Sequence, residues 1–417
     1  MAVKNKPGIL VKILLLLLIF WGLYTPVANI VGPTITSLSF VLIDILLFIY
    51  LIFSNTKIND VLQKSGVIKL IVAIFLASLY VGFRAAFSGN DSRFFQNTLI
   101  IVQIFYFFEI LLLMYYKIGY SKYEIMATFL NVVFIQGIIA VLMLLVPAFH
   151  DVALHLYYAG AVENSFISDK RIYGLSSEYT YTTPILNGIF GVIAVFLSIK
   201  KSKLYLIYVP IILLLVLLNG RTGLVVFIIG SIIIIFQNSR RFTHIVGLLI
   251  LSSLGIYAVF YLISIFSIET YNWILGFFTD TSNLLDGKTT GNYTQLGMQF
   301  PSENLIFGYG FRIFDPSKVI SNGIFFRQSD IGYVNDLFLG GIVYLILLYI
   351  PIFTYILSSA DKDVQFKNSG LSFFLLITLV IADYKGETMR NGNLLLLIIT
   401  ITVLIRMPKK EILRYDG

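Results

Sequence analysis

The sequence predicts an all-α polytopic membrane protein, and three observations carry that prediction. Apolar residues make up 58% of the chain and charged residues 12%, where an average soluble domain is about one quarter charged. The apolar residues gather in runs of roughly 20, the length that crosses about 30 Å of hydrocarbon. These runs recur along nearly all of the 417 residues. No stretch between them is long enough for a soluble domain, so residues 1–417 read as a single integral membrane domain.

About twelve runs qualify as transmembrane helices. The first, 9–29, is too long for a signal-peptide core and has no small-residue cleavage site, so it reads as a retained helix. Long runs follow at 33–54, 67–87, 97–116 and 125–147. Asp44 and Glu109 fall in the middle of two of them. They are placed either to relay a proton or, the plainer reading, to make a polar contact between helices. After a polar segment the pattern resumes at 181–199, 203–219, 222–237 and 244–266. A second, larger segment separates the ninth helix from the runs at 337–358, 369–384 and 391–407.

Lys and Arg collect on the cytoplasmic side of a membrane protein. With the N-terminus inside, the inner segments run from "MAVKNKPG" through "NTKINDVLQKSG", "KIGYSKYE", "KKSK", "QNSRRFTH" and "ADKDVQFKN" to "RMPKKEILRYDG". Together with Lys12 and Lys69 they hold 19 basic and 6 acidic residues, whereas the opposite face holds 11 basic and 14 acidic ones. An even helix count and a basic inner side agree, so both termini are expected in the cytoplasm. The net charge of +8 is therefore a topology signal. A nucleic-acid partner would need a solvated basic domain, which the chain lacks. With no cysteine, disulfides, thiolate metal sites and cysteine nucleophiles are excluded. His150, His155 and His244 lie far apart in sequence and offer little to a metal centre.

On the outer face, residues 148–180, residues 267–336 and "DYKGETMR" at 383–390 are large enough to build something. The 267–336 segment is too long for a plain connector. It is rich in aromatics and poor in the residues of disorder. Short amphipathic helices on the membrane surface are expected there, with Trp273, Phe277, Phe278, Phe325 and Phe326 at the headgroup level. Within it, Ser302 is placed to cap a short helix that Gly308 and Gly310 would end.

Arg84, Arg93, Lys170, Arg171, Arg221, Lys288, Arg312, Lys318, Arg327, Lys385 and Arg390 are the cations of the outer face, where cations are scarce. Exposed ones such as Lys288 and Lys318 need only nearby carboxylates. Arg221 differs, because "NGRTG" is a tight turn between two apolar runs with almost no polar loop around it. Mid-membrane arginine costs at least about 2.5 to 3.5 kcal/mol on insertion scales, so this one must reach water, a carboxylate or a ligand. Several arginines at the outer edge suit a phosphate or pyrophosphate, whose oxygens match a guanidinium with two parallel hydrogen bonds. Beside them lie Tyr173, Tyr179, Tyr181, Tyr293, Tyr309 and Tyr333, which can stack on a sugar, and Glu178, Asp330 and Asp336, which can accept a proton.

Four segments of this face resemble the O-antigen polymerase and ligase superfamily, in particular its Wzy-type polysaccharide polymerases. They are "RIYGLSSEYTYTTPIL", "NGRTGL", "NLIFGYGF" and "SDIGYVNDLFLGGIVYLILLY", and they cover about a third of the chain. The resemblance implies a C-type glycosyltransferase-like bundle in the bacterial cytoplasmic membrane, with the large outer loop between helices 9 and 10. It also implies undecaprenyl-pyrophosphate-linked oligosaccharide as donor and acceptor, inverting glycosyl transfer without metal or other cofactor, and a chain-length regulator as a partner besides the lipid bilayer. Carried over residue by residue, Arg171 and Arg221 would contact pyrophosphate, with Arg312 and Arg327 beside them. Tyr333, Glu178, Arg84 and Arg390 complete the expected substrate contacts. Asp330 stands where the ligase branch has a histidine, which argues against ligation onto lipid A. It would then be the base for the attacking hydroxyl, or it would pair with Arg327 and orient it.

Overall fold

The computed structural model describes residues 7–54, 58–88, 91–157, 172–177, 181–238, 242–266, 268–285, 300–301, 303–314, 320–321, 324–325, 328–359, 363, 366–390 and 392–408. Their helices are Ile9–Tyr24 (α1), Ala28–Phe53 (α2), Ile58–Ser65 (α3), Val67–Ser88 (α4), Arg93–Leu112 (α5), Lys122–Leu145 (α6), Pro147–Tyr157 (α7) and Thr182–Lys200 (α8). They continue with Tyr208–Asn219 (α9), Arg221–Asn238 (α10), Phe242–Phe266 (α11), Ile268–Leu285 (α12), Gly332–Leu357 (α13), Leu371–Lys385 (α14) and Asn393–Arg406 (α15). A π-helical turn, Leu113–Ile118, extends α5. Two-residue strands at Ile320–Ser321 and Ile324–Phe325 pair antiparallel.

Among the described residues, six helical stretches are long and apolar enough to cross a membrane: Ile30–Phe53, Val67–Phe87, Arg93–Ile118, Lys122–Leu145, Thr182–Lys200 and Gly332–Leu357. Each falls on one of the apolar runs of the sequence. Other runs yield shorter apolar helices, for identifiable reasons. The 9–29 run stops at Tyr24, where Thr25 takes a left-handed φ of 38° and turns the chain into α2. The 203–219 run opens as a 3₁₀ turn, Lys203–Ile207, and only then becomes α9. Of the 267–336 segment, α12 is a helix of 18 residues, whereas the short helix expected after Ser302 is a single turn closed by Gly308 N–H donating to Asn304 O at 2.7 Å. Ser302 and Phe326 lie outside the described residues, as do the side chains of Trp273, Phe277, Phe278 and Phe325.

The centre of the bundle is α8, buried from Thr182 to Ser198. Lipid tails are as apolar as leucine, so helices in a bilayer gain by close approach at small residues. Here α8 meets α10 in that way. A Cβ on Gly223 would lie 2.0 Å from Pro184 O, and one on Gly188 would lie 2.5 Å from Gly223 O. At the periphery, α2 leaves Leu38, Leu42, Ile45, Leu46 and Ile49 exposed, the apolar face a lipid-contacting helix needs.

Charges gather at the two ends of the bundle and match the two sets separated in the sequence. At one end Lys122 Nζ reaches Asp363 Oδ2 at 2.7 Å and the carbonyls of Ile405 and Met407 at 2.7 and 2.8 Å. Lys117 donates to Ser54 O, and Arg406 donates to Ser65 O and Ser358 Oγ. The other end holds the cluster described next.

Candidate functional site

Opposite Lys122, the loop that follows α14 is surrounded by ionic groups. Arg93, the first residue of α5, places Nη1 2.6 Å from Asp336 Oδ1 on α13 and Nη2 3.3 Å from Glu387 Oε1 on the loop. Arg312 places Nε 2.9 Å from Asp91 Oδ2 and Nη1 2.6 Å from Glu387 Oε2. Arg390 approaches the same Glu387 oxygen at 3.8 Å. Glu387 thus sits among three guanidinium groups. Behind it, the Tyr349 hydroxyl lies 2.7 Å from Asp336 Oδ2 and 2.6 Å from Asp383 Oδ2, and Thr388 N–H donates to Asp383 Oδ1 at 3.0 Å.

The cluster is sealed at its core and open at its rim. Arg93 and Asp336 are each 1% exposed, whereas Arg390 is 33% exposed. Burial opposes the charge on Arg312, but Glu387, despite repulsion from Arg93, and Asp91 outweigh it, and its pKa is raised above the usual arginine value. At the rim, Thr182, Glu387, Thr388, Arg390, Gly392, Leu394 and Leu395 line a small opening.

Each of the four sequence motifs reaches this loop or something packed on it. The first contains Tyr181, against whose ring a Cβ on Gly386 would lie 2.1 Å away, and Thr182, which lines the opening. The second touches the first through Gly223 and Pro184, and Ile172 N–H donates to Leu218 O at 3.1 Å. The third and fourth meet backbone to backbone. Gly341 interrupts α13 with φ 65°, and residues 305–310 fill the gap. Tyr309 and Gly310 N–H donate to Phe338 and Leu339 O at 2.6 and 2.9 Å, and Ile342 and Val343 N–H donate to Leu305 and Ile306 O at 3.0 and 3.2 Å. From this crossing Arg312, the residue after the third motif, reaches Glu387, and Asp336 of the fourth reaches Arg93.

Among the residues singled out from the sequence, Arg312 and Arg390 converge on Glu387. Arg312 spends its donors on Asp91, Ser92 and Glu387. The Tyr333 hydroxyl donates to Val380 O on α14 at 2.8 Å. Asp330 is half-buried just before α13. Arg84 stands apart and donates from Nη2 to Gly308 O at 2.6 Å. Arg221 opens α10, its side chain outside the described set, and Arg171, Glu178 and Arg327 lie outside the described residues. Sequence reasoning placed Arg93 among the outer cations and Asp336 among the outer acids without pairing them. It gave no role to Asp91, Tyr349, Asp383 or Glu387. A signal was available in "DYKGETMR", where four charged residues and a tyrosine stand between two apolar runs.

The fold defines a helical multi-pass membrane protein with a buried ionic cluster at one end. The chain matches no protein-family model, no curated protein and no solved structure.

Proposed function

We propose that the chain is a Wzy-type polymerase, joining undecaprenyl-pyrophosphate-linked oligosaccharide repeats on the outer face of the bacterial cytoplasmic membrane. The observation that carries this reading is that four motifs, distant in sequence, pack on one another and around the loop after α14 and its rim opening. In this reading the chain spans the membrane about twelve times with both termini inside, and the cluster end faces out. Lipid tails stay in the bilayer while the sugars lie at the rim, so a site at the membrane edge is what the substrate demands.

An acceptor hydroxyl attacks the anomeric carbon opposite the pyrophosphate; the new glycosidic bond forms as the carbon–oxygen bond to pyrophosphate breaks, and the centre inverts. Negative charge grows on the departing pyrophosphate, where fixed guanidinium groups stabilise it best in a site with little water. Arg221 and Arg171 are assigned to that task, with Arg327 beside them. Arg390, half-exposed at the opening, is the member of the cluster within reach of a bound anion, while Arg312 holds Glu387 in place. Asp330 accepts the hydroxyl proton, help typically worth about 100-fold to 10,000-fold.

A lipid-linked oligosaccharide flippase is the second reading. The break of α13 at Gly341 favours it, since transporters commonly build sites from interrupted helices. Deleting the gene and separating the surface polysaccharide on a gel distinguishes the two. A polymerase defect leaves single-repeat products and no ladder, whereas a flippase defect removes the surface sugar altogether. Arg221→Ala at normal protein level is expected to reproduce the single-repeat pattern, and a retained ladder refutes its assignment.

A further inference from the structure

One hydrogen is missing from the ionic cluster when its contacts are counted. The Tyr349 hydroxyl is 2.7 Å from Asp336 Oδ2 and 2.6 Å from Asp383 Oδ2, both short enough to be hydrogen bonds. A phenol has one hydrogen to donate, and an ionised carboxylate can only accept. With both aspartates ionised, one of these contacts would set two oxygens against each other with nothing between them. Either Asp336 or Asp383 must therefore donate to the tyrosine oxygen.

The neighbours decide which. Asp336 presents its other oxygen to Arg93 Nη1 at 2.6 Å, a charge-assisted pair that holds it ionised. The other oxygen of Asp383 meets only a neutral backbone donor, Thr388 N–H at 3.0 Å. Charge counting agrees that one carboxyl carries a proton. Four carboxyl groups, Asp91, Asp336, Asp383 and Glu387, stand with three guanidiniums, Arg93, Arg312 and Arg390. One proton on a carboxyl balances the charges of these seven groups. Around Asp383 the remaining groups are Arg93 on α5, Tyr333 on α13 and Tyr181 before α8. Arg93, the cation among them, already has two carboxylate partners.

We propose that Asp336, Tyr349 and Asp383 form a proton-holding site, in which the carboxylic acid of Asp383 donates to Tyr349 and Tyr349 donates to Asp336. The chain of three hydrogen bonds ends at Thr388, which lines the rim opening together with Glu387. A proton can move along it by a concerted shift: the Asp383 hydrogen passes to Tyr349 and the Tyr349 hydrogen to Asp336, with neither gain nor loss of charge. The site thus places acid–base capacity directly behind the wall of the opening. It stands whether or not the polymerase reading does.

The test compares isosteric amides in the full-length protein, purified in detergent. In Asp383→Asn, the side-chain NH₂ replaces the acid hydrogen and the carbonyl still accepts from Thr388. Its unfolding midpoint should match that of the wild type, whereas Asp336→Asn, which strips Arg93 of its nearest carboxylate, should unfold at markedly lower temperature. An infrared difference spectrum of wild type minus Asp383→Asn in heavy water should show the loss of one carboxylic-acid carbonyl band at neutral pH. Equal destabilisation by the two amides, the reverse order, or a difference spectrum showing the loss of a carboxylate band instead overturns the assignment.

Discussion

Arg93 joins two carboxylates from parts of the chain that no local pattern connects. Asp336 is 243 residues away in sequence, and Glu387 is further still. The sequence shows that a cation and several acids share one face, because charge counting needs only the side of the membrane. It does not show which acid meets which cation, since that depends on how α5 and α13 pack. A buried ion pair that loses one partner leaves an uncompensated charge, which costs about 3 to 5 kcal/mol. Arg93→Ala is accordingly expected to destabilise the detergent-solubilised protein by that amount in chemical unfolding. Arg93→Lys should recover only part of the loss, because one ammonium cannot span Asp336 and Glu387 as the planar fork does.

Individual helices were far more legible than the contacts between them. The runs behind α4, α5, α6 and α8 show themselves by length and hydropathy alone, and the structure shifts their ends by only a few residues. The glycine motifs were legible as motifs but not as geometry. "FGYG" and "LGG" read separately as a helix end and a helix start, whereas the structure makes them the two halves of one backbone crossing. Gly308 and Gly341 both have positive φ, at 68° and 65°. A Cβ on Gly341 would lie 2.2 Å from Ile306 O, and one on Gly308 would lie 2.6 Å from Gly341 N. A left-handed conformation costs an L-residue roughly 1 to 2 kcal/mol before any clash is added. Gly341→Ala is expected to expel residues 305–310 from α13, measured as faster cleavage of that segment by a protease added to the purified protein. Unchanged cleavage would show that the crossing tolerates a side chain.

Across the whole molecule, the charges sorted by side in the sequence are the charges gathered at opposite ends in space. That agreement did not need any helix boundary to be right, because loops average over errors of several residues. The chain has no cysteine, so single cysteines can report which end faces out. Glu303 and Lys203 are both exposed and belong to opposite ends. Glu303→Cys is expected to react with a membrane-impermeant maleimide in intact cells, and Lys203→Cys only after permeabilisation. Equal labelling of both in intact cells would overturn the assigned topology. What the sequence could not convey at this scale is the loop after α14 as the common meeting point, since its importance lies in what surrounds it.

The separation between Arg93 and its partners also sets a timetable for biogenesis. A ribosome adding about 5 to 20 residues per second needs on the order of tens of seconds between synthesising Arg93 and synthesising Asp336. Glu387 and Asp383 follow later still, and at the opposite end Lys122 waits for the carbonyls of Ile405 and Met407. Throughout that interval the nascent chain holds cations whose final partners do not yet exist. A chain truncated before α14 would keep Asp336 and Asp363 but present Arg93 without Glu387, and Lys122 without the Ile405 and Met407 carbonyls, to the cell's membrane proteases.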